Sequence, residues 1–177
     1  MMGGSVGGAL TYYAAVAGAP VVAIACLNLF DFGNGRDGLL ISRLAPLAKS
    51  ALLARLLTRG MQLLKPLGWL RIPFNWLGAF DKLMDDRDRE FQAQWHADPI
   101  PPRLVSLHAL ASNLNTSPAI PFEDSPIPVL VINQKYDQMV DPQATRQNYE
   151  RLKAPKNYLE VPFRALVPTT RILADNH

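Results

Sequence analysis

Residues 3–32 read GGSVGGALTYYAAVAGAPVVAIACLNLFDF, and the fold turns on this stretch. Its opening, Gly3-Gly4-Ser5-Val6-Gly7, sets one serine among glycines. The pattern G-x-S-x-G suits a tight strand-to-helix turn: the glycines let neighbouring backbone approach, and the hydroxyl is held at the head of a helix. The N–H of the next residue, Val6, can then face a developing oxyanion. Residues 9–17, ALTYYAAVA, are compatible with a helix that Gly18 ends. Residues 21–27, VVAIACL, are a short apolar run rich in β-branched residues, which predicts a strand buried on both faces of a parallel sheet. FDFGNGRDG at 30–38 predicts a loop.

The same alternation returns near the other end. PVLVIN at 128–133 predicts a second apolar strand, QATRQNYERLK at 143–153 an exposed helix started by Asp141-Pro142, and NYLEVP at 157–162 a third strand. Strands alternating with helices argue for an α/β fold with a short parallel sheet of about three strands. Between the two blocks, residues 38–97 predict helices interrupted by Pro46, Pro66 and Pro73. From Gly38 to Phe80 the charges are all basic: Arg43, Lys49, Arg55, Arg59, Lys65 and Arg71. The sign then reverses in DKLMDDRDRE, 81–90, and a proline-rich connector follows at 98–128 with a helix near 103–112.

Composition bounds the function. A chain of 177 residues with 49% hydrophobic and 19% charged residues holds one domain with a core, not a disordered segment. A net charge of +3 without a dense basic patch argues against nucleic acid. Cys26 is the single cysteine, so there is no internal disulfide and no cysteine metal site. His96, His108 and His177 have no metal-ligand spacing, and no cofactor is called for. The first charged residue is Asp31, which raises a membrane span as an alternative. Gly18-Ala19-Pro20 breaks that run and no basic residue precedes it, so a buried helix, a turn and a buried strand is the preferred reading. A reducing, cytoplasmic location follows, with membrane association through the apolar N-terminus and the basic, leucine-rich 38–80 segment as the alternative.

GGSVGGALTYYAAVAGAPVVAIACLNLFDF resembles the nucleophile elbow, its helix and the next strand of the α/β-hydrolase superfamily. PIPVLVINQKYDQMVDPQATRQNYERL, 126–152, is similar to the family's later strand, acid-bearing loop and helix. The resemblance covers residues 1 to about 163 and implies a serine hydrolase acting on an ester or amide acyl substrate. Ser5 would be the nucleophile and Val6 an oxyanion donor. Asp137, in Lys135-Tyr136-Asp137-Gln138-Met139-Val140, would be the acid that orients the histidine base, with Asp141 as the alternative. It also implies a layout: core elements in 1–33, a mostly helical cap insertion and connector in 34–125, core again in 126–163, and an atypical tail in 164–177. A leucine-rich cap leans towards a small, lipid-like acyl substrate.

The sequence also departs from the family. The family's histidine follows the last strand, where Arg164 and Ala165 stand here; His177 is the only histidine after Asp137, and so the candidate base. One family oxyanion donor comes from a loop that would precede Gly3. These departures predict a truncated product that is weak or inactive, and an altered reading frame or a wrong gene boundary after Phe163. A non-catalytic remnant is the competing expectation.

Overall fold

The computed structural model describes residues 1–40, 42–78, 89–99 and 103–164. Most of the acidic run at 81–90, the tail from residue 165, and His177 lie outside the described residues. In chain order the elements are β1 (Met2–Gly4), α1 (Val6–Val16), β2 (Ile24–Leu27), α2 (Asp37–Leu40), α3 (Ala51–Leu63), β3 (Arg71–Pro73), α4 (Phe74–Leu77), α5 (Arg89–Ala97), β4 (Leu104–Ser106), α6 (Leu107–Asn115), β5 (Val129–Gln134), α7 (Pro142–Arg151) and β6 (Lys156–Val161).

The central sheet has the order β1-β2-β5-β6 and every neighbouring pair is parallel. The three expected strands are present in one sheet, and β1 adds a fourth: Met2 pairs with Ala25, and Gly4 with Leu27. β2 is shorter than the apolar run suggested. It begins at Ile24, while Val22 is almost fully exposed. Its burial also alternates: Ile24 and Cys26 are buried, Ala25 and Leu27 half-buried. The buried face packs on α1 and α7, where Tyr12, Val16, Ile24, Cys26, Val129, Val131 and Leu152 form the main core, with Tyr149 and Tyr158 against it. Tyr12 meets Phe122 edge-to-face at 4.5 Å between ring centroids. An aromatic pair of that geometry adds about 0.5–1.5 kcal/mol beyond its area.

The segment between β2 and β5 differs from an all-helical insert. Arg71–Pro73 and Leu104–Ser106 form a small antiparallel ladder, β3 with β4. Pro73 explains part of this, because a proline disfavours the helical region for the residue before it, Ile72. The helix expected near 103–112 is α6, shifted to Leu107–Asn115 and capped by Ser106, whose hydroxyl accepts from the Ala109 N–H at 3.1 Å. α7 starts where Asp141-Pro142 predicted; Asp141 Oδ1 accepts from the Gln143 N–H at 2.9 Å.

Candidate active site

In a parallel sheet all strands end at one edge, so the residues after β1, β2 and β5 converge there: Ser5, Asn28 and the loop holding Asp137. β1 and β5 flank β2, which sets their ends roughly 10 Å apart at the usual strand spacing.

Ser5 occupies the turn between β1 and α1 at φ 54° and ψ −127°. A serine with positive φ is uncommon, and such strain persists only where the surroundings enforce it. The surroundings here are visible. The Ser5 N–H donates to the Leu27 carbonyl at 2.8 Å, and the Ser5 carbonyl accepts from the Gly8 N–H at 2.9 Å. A Cβ at Gly3 would strike the Gly7 carbonyl and the Thr11 hydroxyl, and one at Gly8 would strike the Asn28 carbonyl. The steric demand therefore falls on Gly3 and Gly8; a Cβ at Gly7 would meet nothing. A serine at a helix start ordinarily uses its oxygen to cap the first turn. Ser5 makes no such bond, so its hydroxyl is not spent on holding α1.

Asp137 follows β5. Its Oδ1 accepts from the Met139 N–H at 2.8 Å and the Val140 N–H at 2.9 Å. Its Oδ2 is closed off from solvent and has no hydrogen-bond partner. Burial raises the pKa of this carboxyl, against the two backbone donors and the nearby Asn28 amide, which favour the charged form. Met139 and Val140 pack in one apolar cluster with Val6, Ala9, Phe30 and Phe32, so the acid's loop and the serine's turn share a floor. Asp141 is instead engaged in capping α7.

Asn28 is the residue that sequence reasoning missed. It is fully buried with φ 63°, and neither end of its side-chain amide has a hydrogen-bond partner. Its N–H donates to the Ile132 carbonyl at 3.0 Å, which fixes it between the two strands. A lone asparagine after a strand carries no motif that could have marked it.

Behind this edge the loop after β2 is held by a buried polar network that was equally illegible. Asp37 accepts from the Asp31 N–H at 2.8 Å, from Asn34 Nδ2 at 3.0 Å, and from Asn148 Nδ2 of α7. Asp31 Oδ2 accepts from Arg151 Nη1 at 2.7 Å, and Arg151 Nε donates to Glu123 Oε1 at 2.6 Å. Arg151 lowers the Glu123 pKa through that bond, and burial raises that of Asp37. Cys26 is no rival nucleophile, since burial pushes its thiol up to about 12. His96 lies on α5, and His108 lines a cleft of about 270 Å³ between α3 and α6 with Gln62 and Lys65. Among the described residues no histidine hydrogen-bonds Asp137, and no group of three or more His, Cys, Asp or Glu side chains is placed to hold a metal ion.

Comparison with solved structures identifies the fold. A soluble variant of the monoglyceride lipase from Saccharomyces cerevisiae, in complex with a substrate analogue, superposes with a TM-score of 0.66 at 15% identity, over 99% of this chain and 60% of that one. This is the α/β-hydrolase fold. A monoacylglycerol lipase from Paleococcus ferrophilus gives 0.59 at 19% identity, over 90% of this chain and 56% of its own. The α/β-hydrolase GrgF from Penicillium sp. sh18 gives 0.56 at 15% identity, covering 99% and 57%. The chain thus spans 56–60% of the length of these α/β-hydrolases and carries part of their fold. No protein-family model and no curated protein sequence matches it significantly.

Proposed function

We propose that this chain carries the nucleophile and acid of a serine hydrolase acting on an ester or amide acyl group. The observation that carries the reading is Ser5 itself: a partly exposed residue whose hydroxyl is unused by its helix, in a strained turn at the same sheet edge as Asp137. In the proposed reaction Ser5 Oγ attacks the acyl carbonyl as its proton passes to a histidine, for which His177 is the candidate. Asp137 Oδ2 accepts from that imidazole and favours its charged form. The Val6 N–H donates to the oxyanion; the C–O or C–N bond then breaks, the leaving group takes the proton, and water releases the acyl group. No metal or cofactor enters these steps. The segment 34–125 is proposed as a cap over the edge, supported by its departure from β2 beside Ser5, and its leucines support a small, lipid-like acyl substrate.

The experiment is labelling with a fluorophosphonate probe followed by peptide mass spectrometry. The expected result is modification at Ser5 that Ser5→Ala abolishes, with esterase turnover, if present, lost by a factor of about a thousand or more. Labelling that survives Ser5→Ala rules Ser5 out. One observation favours a second, non-catalytic reading: Arg164 and Ala165 stand where the resemblance would put the histidine. Absent labelling and absent turnover in the parent chain would select it.

A further inference from the structure

Helix α3 packs with its large apolar side chains outward. Its buried positions are Ala54 and Thr58, one turn apart, while Leu52, Leu56 and Leu63 are 68%, 58% and 82% exposed. At about 100° per residue these three leucines form one stripe opposite Ala54 and Thr58. Leu53 and Leu57 widen it on one side, and Arg55 and Arg59 run along the other. Two further large side chains of the same segment, Trp69 and Trp76, are 74% and 71% exposed. A core-facing amphipathic helix would show the reverse arrangement.

The charges say what covers the stripe. From Gly38 to Phe80 the segment holds no acidic residue, and its six basic side chains are all exposed. None of the six forms an ion pair among the described residues. A second copy laid on this face would bring like charges together. A leucine stripe bordered by arginine, with exposed tryptophans close by in sequence, matches a helix lying in the plane of a bilayer interface. No helix among the described residues is long and apolar enough to cross a membrane. We infer that α3 docks the protein on an anionic bilayer surface, leucines in the headgroup boundary and Arg55 and Arg59 on the lipid charges. The inference is independent of the Ser5 chemistry, and Ser5→Ala should bind as the parent does.

The test is sedimentation of the full chain with vesicles of phosphatidylcholine containing phosphatidylserine, against phosphatidylcholine alone. Binding to the anionic vesicles only, with a blue shift of tryptophan emission, is expected. Arg55→Gln with Arg59→Gln should weaken partitioning by roughly tenfold or more, since each basic residue at an anionic surface contributes about fivefold. Leu52→Gln with Leu56→Gln and Leu63→Gln should weaken it comparably. These positions are exposed, and an unchanged far-UV circular dichroism spectrum would certify the fold. Equal binding to neutral vesicles, or variants that bind as well as the parent, would overturn the inference. A dimer that the leucine variant dissociates, without vesicle binding, would reassign the face to contact between copies. Polyglutamate bound as tightly as vesicles would reassign it to an acidic protein.

Discussion

Asp137 keeps one oxygen in the backbone of its own loop and holds the other, buried, in reserve. Burial makes the charged form unfavourable and lifts the folded pKa above that of the unfolded chain. The stability a protonated Asp137 allows is therefore full below the unfolded pKa, about 4, and is lost as pH rises through the folded value. Asn at this position keeps an acceptor for Met139 and Val140 and has no charge to desolvate. Asp137→Asn should therefore melt higher than the parent at neutral pH, and the gap should close on acidification towards the ordinary carboxylate range. Melting curves across that range check the sign; a gap that widens towards acid would contradict it. If Asp137 orients the base, the same variant loses turnover while gaining stability. Ser5 was legible as a candidate because G-x-S-x-G has a chemical reason, and Asp137 became a candidate only through the family resemblance. Asn28 was not: its left-handed backbone and its burial exist only once β5 packs beside β2.

Among elements, the long apolar runs were readable and the short polar ones were not. β5, β6 and α7 follow from alternation and from the Asp141-Pro142 start. β1 has three residues, two of them glycine, and becomes a strand only by pairing with β2. β3 read as helix because a single Ile-Pro step in a leucine-rich segment is a weak signal against helical spacing. The loop after β2 looked like punctuation, yet Asp37 gathers three donors there. Asp37→Ala would strand the buried Asp31 N–H and one N–H of the Asn148 amide, whose other N–H still meets the Leu29 carbonyl. Buried donors without partners cost about 1–3 kcal/mol each, so a loss of roughly 3 kcal/mol is expected after partial relaxation. Urea denaturation measures it, and Asp37→Asn should recover part of the loss.

Across the whole molecule, the sheet is better anchored at one end than at the other. β5 pairs with β6 over six positions, β2 with β5 over four, and β1 with β2 over three. One face of the sheet lies on α1 and α7, while Ala25, Leu27, Leu130 and Ile132 on the other are half-buried. The fold class and the parallel sheet were readable because periodicity reports burial; this gradient was not, because it depends on pairing length rather than on any residue's character. Its consequence is kinetic. The candidate nucleophile hangs from the shortest ladder and the candidate acid from the middle of the sheet. Local openings draw on few hydrogen bonds and cost far less than global unfolding. Amides at positions 3–5 should therefore exchange with deuterium well before those of Val131 and Ile132, and the reactivity of Ser5 should vanish on warming while the circular dichroism of the chain is still that of the folded state.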